Sequence, residues 1–168
     1  KVFEGYTFNA WENPTGGYAL IGWEPIDTTH YRTMIVKTDV SGTETWRKAY
    51  VDTSGYACTV TADGGFVLVE EDSDTGDASL LKIDADGNVT WKQTYANSSR
   101  TDGMGNLLSV EQTTDGGYVI AGIRSLNGWA DEGAWIIKTD PDGNETGRWS
   151  KDFNAAYDYV SQVRPTRD

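Results

Sequence analysis

The densest chemistry in this chain is acidic. Glu70-Glu71-Asp72-Ser73-Asp74-Thr75-Gly76-Asp77 places five carboxylates within eight residues. Hard cations such as calcium take several oxygens from one loop, so Asp72, Asp74 and Asp77 are the residues that would hold one. The competing reading is a solvated acidic loop. Asp84-Ala85-Asp86-Gly87-Asn88 and Asp140-Pro141-Asp142-Gly143-Asn144 invite the same question. They lack the third acidic position before the glycine and the downstream Glu of an EF-hand loop. Asp, Asn and Gly in that order also suit a tight hairpin turn. A second kind of chemistry is aromatic. Trp23 and Trp129 fall at strand ends or in loops beside Glu24, Asn127 and Asp131. An indole face flanked by carboxylate and amide groups can stack a sugar ring, and Trp23, Trp129 and Asp131 are the candidate ligand-binding residues. Plain packing of these tryptophans is the alternative.

No catalytic set emerges. His30 is the single histidine and Cys58 the single cysteine, and they lie in unrelated contexts. A nucleophilic thiol wants a base or cation at its side. Cys58 instead occupies an alternating apolar position, which reads as a small buried hydrophobe. There is no Gly-x-Ser-x-Gly elbow, no His/Cys cluster of zinc spacing, and no glycine loop between a strand and a helix to hold phosphate. Paired carboxylates of the glycosidase kind are too common in so acidic a chain to be picked out by counting. The expectation is a protein that is not an enzyme and has no cofactor, calcium being the one ion its loops suit. A propeller enzyme or a cation-binding protein using acidic loop residues is the alternative.

The 168 residues carry 26 Asp plus Glu against 14 Lys plus Arg, a net charge of −12. A partner with a phosphate backbone needs a basic patch, so nucleic acid is excluded as the expected ligand. No apolar run approaches the roughly 18 residues of a membrane span, so no membrane insertion is expected. One cysteine permits no disulfide within the chain. Aromatics make up 12%, with seven Trp and nine Tyr, and such residues bury large areas.

The elements that position these groups repeat. Thr15-Gly16-Gly17-Tyr18, Asp63-Gly64-Gly65-Phe66 and Asp115-Gly116-Gly117-Tyr118 are each followed by a Lys-x-Asp triplet, at Lys37, Lys82 and Lys138. Trp46, Trp91 and Trp149 come next, and four residues beyond each stands Tyr50, Tyr95 or Phe153. Self-similarity at about 50 residues marks a propeller or solenoid. Each copy divides into four short β-branched and aromatic runs punctuated by Gly, Asp and Asn. The first predicts strands over 7–13, 18–23, 32–38 and 43–50; the second over 57–62, 66–70, 79–83 and 89–95. The third predicts strands over 107–113, 118–122 and 134–139 and a last one ending at Phe153, with a polar loop from Arg124 to Gly133. Four antiparallel strands per unit is a propeller blade. The expected fold is all-β: one domain of three four-stranded blades over about 3–50, 51–95 and 100–153, plus the first strand of a fourth within 154–168. The recurring tryptophans are expected in the blade core. Propellers mostly close with four to eight blades, so three call either for a longer protein or for self-association of two chains into six.

The pattern Asp-Gly-Gly-Tyr-x-x-x-Gly at Asp115 to Gly122, with Lys-x-Asp-x-x-Gly-Asn-x-x-Trp-x-x-x-Tyr most fully at Lys82 to Tyr95, resembles the repeats of secreted and cell-surface β-propellers of bacteria and archaea. The resemblance implies a non-enzymatic extracellular or cell-surface scaffold or recognition module, for a carbohydrate or a protein ligand. The first copy departs from the pattern: Thr15 replaces the first Asp, and Ser41 and Thr43 replace the Asp and Asn of the second turn. Three glycosylation sequons occur, at Asn88, Asn97 and Asn144.

Overall fold

The structure is a computed structural model. It describes residues 6–27, 31–50, 57–71, 78–95, 104–126, 131–151 and 162–166. The described residues form twelve strands and no helix. The first sheet holds β1 (Tyr6–Glu12), β2 (Tyr18–Pro25), β3 (Tyr31–Thr38) and β4 (Glu44–Ala49). The second holds β5 (Ala57–Val60), β6 (Phe66–Glu71), β7 (Ala78–Ile83) and β8 (Val89–Tyr95). The third holds β9 (Met104–Gln112), β10 (Tyr118–Leu126), β11 (Asp131–Thr139) and β12 (Glu145–Lys151). Each sheet is an antiparallel meander in chain order. The fold is therefore all-β with three blade-like sheets, as the repeats predict.

Six hairpin turns share one construction. Asp84 donates its N–H to the Asn88 carbonyl at 2.9 Å and accepts from the Gly87 N–H at 3.0 Å, and the same pair of bonds recurs at Asn13, Asp39, Thr61, Thr113 and Asp140. This is the three-residue hairpin loop with a left-handed glycine at its end. The Gly-Gly pair of the repeat divides two tasks. Gly64 has φ +79°, which costs glycine nothing. Gly65 lets the third strand come close, since a Cβ there would sit 2.3 Å from the Ile83 carbonyl oxygen.

The sheets stack face to face, with the second in the middle. Phe66, Leu68, Leu81 and Ile83 pack toward the first sheet with Ile21 and Ile35. Val67, Val69 and Leu80, pointing the other way, pack with Val110, Ile120 and Ile137 of the third. That double burial explains why Phe66-Val67-Leu68-Val69 is a continuous apolar run, all at 0% exposure, rather than an alternation. Cys58 is buried in the first of these layers. Burial pushes its thiol far above the usual range, so it is a packing residue.

Two expectations change. The polar loop after β10 is shorter than predicted: the β10–β11 ladder continues through Arg124–Gly133, Ser125–Glu132 and Leu126–Asp131. A two-residue insertion moves the third tryptophan out of register. Trp46 pairs with Lys37 and Trp91 with Lys82, but Gly147 pairs with Lys138 and Trp149 lies opposite Ile136. Trp149 is 57% exposed, whereas Trp46 and Trp91 are partly buried against the two cores. Within 162–166 the chain forms no strand; the Val163 N–H donates to Ser109 Oγ at 3.0 Å, against β9.

Candidate functional site

The six residues singled out by sequence all belong to one kind of connection. Trp23 lies near the end of β2, Asp72, Asp74 and Asp77 in the β6–β7 connection, and Trp129 and Asp131 around the β10–β11 connection. These are equivalent loops of the three sheets. The opposite ends are tied to each other: Asn13 Nδ2 donates to the Gly64 carbonyl at 3.0 Å and the Ala62 N–H to Gln112 Oε1 at 2.7 Å. The strand ends that flank the candidate loops, Pro25 with Tyr31, Glu71 with Ala78 and Leu126 with Asp131, lie at the other end of each sheet. Asp72, Asp74, Asp77 and Trp129 lie outside the described residues; Asp131 is the first residue of β11, paired with Leu126.

Trp23 is half-buried on β2, opposite Thr33. Its ring lies 6.4 Å from that of Tyr31 at an interplanar angle of 44°. Strand alternation puts Trp23 and Tyr31 on one face of the β2–β3 hairpin and Glu24 and Arg32 on the other. Arg32 Nε donates to Glu24 Oε1 at 2.6 Å, and this exposed pair closes the hairpin end beside the rings. Ile26, just beyond, is 48% exposed. The result is a two-ring apolar surface on one face of a regular ladder, with a charged pair on the reverse face. Sequence reading found Trp23 but missed Tyr31 and the Arg32–Glu24 pair. The available signal was the pairing implied by a hairpin, which sets Tyr31 opposite Pro25, two residues past Trp23.

The aspartates of the repeated turns are spent on their own backbone. Asp84 Oδ1 accepts from the Asp86 and Asn88 N–H groups at 2.9 and 2.7 Å, and Asp140 Oδ1 from those of Asp142 and Asn144 at 3.0 and 2.8 Å. Asp39, where the motif departs, does the same for Ser41 and Thr43, both at 2.8 Å. The Asn88 amides, backbone first, hold Asp84 below the usual carboxylate range; the Asn144 side chain leads the same effect at Asp140. Among the described residues no group of three or more His, Cys, Asp or Glu converges to hold a metal ion. The side-chain amides of two sequons are also engaged: Asn88 Nδ2 donates to Asp84 and Asn144 Nδ2 to Asp140, at 3.1 and 2.9 Å. Asn97 lies outside the described residues.

The other aspartates of the repeat meet the lysine of the following triplet. Lys82 Nζ sits 2.9 Å from Asp63 Oδ2, and Lys138 Nζ 3.0 Å from Asp115 Oδ2. Where Thr15 replaces the aspartate, Lys37 instead donates to the Ala85 carbonyl of the neighbouring sheet at 3.1 Å. The Thr113 hydroxyl, then Lys138 and the Gly117 N–H, hold the Asp115 carboxyl down to about 2. At Asp63 burial pushes up, and the Thr61, Lys82 and Gly65 hydrogen bonds outweigh it. A carboxyl whose folded pKa is depressed below the unfolded value of about 3.9 stabilises the fold fully above that value. The contribution is lost as pH falls through the folded pKa. Thermal melts between about pH 5 and pH 2 should show the midpoint falling most steeply below about 4. Asp115→Asn should flatten part of that fall, and parallel curves for the two proteins would refute the assignment.

No helix among the described residues is long and apolar enough to cross a membrane. Compared with known proteins, the chain matches no family model and no curated protein.

Proposed function

We propose that this chain is a non-catalytic scaffold and recognition module acting outside the cell or on its surface, and that it binds carbohydrate at the loop end carrying Trp23. The observation that carries this reading is the Trp23–Tyr31 ring pair, half-buried on one face of a regular hairpin whose other face is tied by the Glu24–Arg32 pair. Aromatic faces give large contact area at low entropic cost. Loops on a repeated scaffold are where binding residues collect. The net charge of −12 disfavours a phosphate backbone as ligand and does not oppose neutral sugars.

The test is a titration of the chain with a panel of neutral oligosaccharides, followed by tryptophan fluorescence and calorimetry. One or more should bind in the micromolar to millimolar range, about −8 to −4 kcal/mol. Trp23→Ala should weaken that binding about tenfold or more, the effect expected of an aromatic anchor, with little change in thermal midpoint. If no sugar perturbs the protein, or if Trp23→Ala binds as well as the parent, the carbohydrate reading fails. A protein ligand on the same rings would then be sought by the same substitution.

A further inference from the structure

The two interfaces between sheets are built alike. At the first, the Trp46 ring meets Phe66 edge-on at 5.8 Å, Trp46 Nε1 donates to the Ala85 carbonyl at 3.1 Å, and Tyr50 Oη donates to the Gly87 carbonyl at 3.1 Å. At the second, Trp91 meets Tyr118 at 5.9 Å and Tyr95 Oη donates to the Gly143 carbonyl at 2.6 Å. Each joint thus has a tail, the aromatics of a fourth strand, and a head. The head is the aromatic after Gly-Gly together with the turn between the third and fourth strands. Buried heads are tight: Phe66 and Tyr118 are 0% and 1% exposed. A Cβ on Gly87 would meet Lys48 and Tyr50, and one on Gly143 would meet Trp91.

The first sheet carries a third head. The Tyr18 N–H donates to Thr38 Oγ1 at 3.2 Å, as that of Tyr118 does to Thr139 Oγ1 at 3.2 Å, so its backbone is placed the same way. Yet Tyr18 is 48% exposed, Val40 of the adjoining turn is 77% exposed, and a Cβ on Gly42 meets nothing within 4 Å. Met34 and Val36 on the same face are buried, so the open part is the turn end, where the internal joints form. The third sheet carries a third tail. Trp149 is displaced two residues along β12, but its ring reaches back over Gly147, where a Cβ would lie 2.8 Å from the indole. Gly147 pairs with Lys138 as Trp46 pairs with Lys37 and Trp91 with Lys82. The glycine therefore lets an out-of-register tryptophan return its ring to the joint position.

We propose that the chain binds a second copy of itself head to tail, Trp149 of each copy packing on Tyr18, Val40 and Gly42 of the other. The partner is identified by the joint: the chain makes this contact twice internally and exposes one half of it at each end of the stack. A head-to-tail contact either closes or runs on into a filament. Two copies bring six sheets, within the four to eight that close a propeller ring. The inference stands apart from the carbohydrate reading, because Tyr18 and Trp149 lie away from Trp23.

Light scattering after size exclusion, across about 1 to 100 µM chain at about 0.15 M salt, should give a dimer that dissociates on dilution. Tyr18→Ala and Trp149→Ala should each raise the dissociation midpoint tenfold or more. An equimolar mixture of the two variants should recover much of the loss. In the mixed pair one joint keeps both aromatics, and the other loses both at little more cost than losing one. Both side chains are exposed, so circular dichroism of the dilute variants should match the parent. Val40→Glu, on the same turn, gives a second reading of the head should either aromatic variant fold poorly. A monomer at every concentration would overturn the proposal. So would a filament, a dimer indifferent to all three substitutions, or a mixture no better than its components.

Discussion

Phe66→Ala should cost about 3–5 kcal/mol, the range for removing a fully buried aromatic, and lower the thermal midpoint by about 10 °C. Tyr18→Ala, at the same repeat position, should cost less than about 1 kcal/mol when measured at a dilution where the chain is monomeric. The contrast separates chemistry from location. Both aromatics follow a Gly-Gly turn, but Phe66 sits edge-on to Trp46 among Ile21, Ile35 and Leu81, whereas Tyr18 is 48% exposed. The cost at Phe66 has two parts: transfer of the ring to water, and a cavity between two sheets that β-ladders hold at fixed spacing. In a stack where each repeat contacts its neighbours, loss at the middle sheet weakens the first interface directly. Denaturant melts of the two variants provide the measurement. Equal losses at both positions would mean that the second sheet is not the middle layer of the stack.

Gly65→Ala should destabilise by about 3 kcal/mol, the upper part of the range for forced overpacking. Gly42→Ala should cost about 1–2 kcal/mol. The two glycines fail for different reasons. At Gly65 the added methyl would lie 2.3 Å from the Ile83 carbonyl oxygen and 2.8 Å from Lys82 Nζ, and the backbone cannot give way without opening the β6–β7 ladder. At Gly42 nothing stands within 4 Å, and the penalty is the left-handed conformation alone, φ +76°. Thermal denaturation of both variants decides. A Gly65→Ala protein as stable as Gly42→Ala would show that the close approach of the third strand is not what the second glycine serves.

The turns and strands were legible in the sequence because they are set locally. A left-handed glycine after an Asx residue closes a hairpin whatever surrounds it, so strand limits such as Tyr18, Phe66, Tyr118 and Ile83 are those the residues predict. The continuous apolar run at Phe66–Val69 marked the strand but not its place: double burial follows from having a sheet on each side. Trp149 shows the limit most clearly. Its spacing to Phe153 repeats that of Trp46 to Tyr50, yet an insertion of two residues before it keeps the same face while shifting the pairing from Lys138 to Ile136. Whether such a ring is core or surface depends on the next sheet, which no local pattern encodes.

The candidate site divides in the same way. Trp23 could be chosen from its type and neighbours. Tyr31 and Arg32 joined it only through the β2–β3 register, because antiparallel pairing couples residues far apart in sequence. The turns at Asp84 and Asp140 read from sequence as hairpin turns, with a cation loop as the alternative, and their Oδ1 atoms are taken by backbone amides within the turn. At Thr15 the sequence showed a missing carboxylate. Only the packed structure showed the consequence: Lys37, released from its own sheet, ties the first sheet to the second through the Ala85 carbonyl. Sequence by itself determined the repeat, its turns and its four-strand units, since these rest on backbone conformation and side-chain alternation. The stacking of those units decided which aromatics are buried and which stand open, since burial belongs to pairs of surfaces and not to single residues.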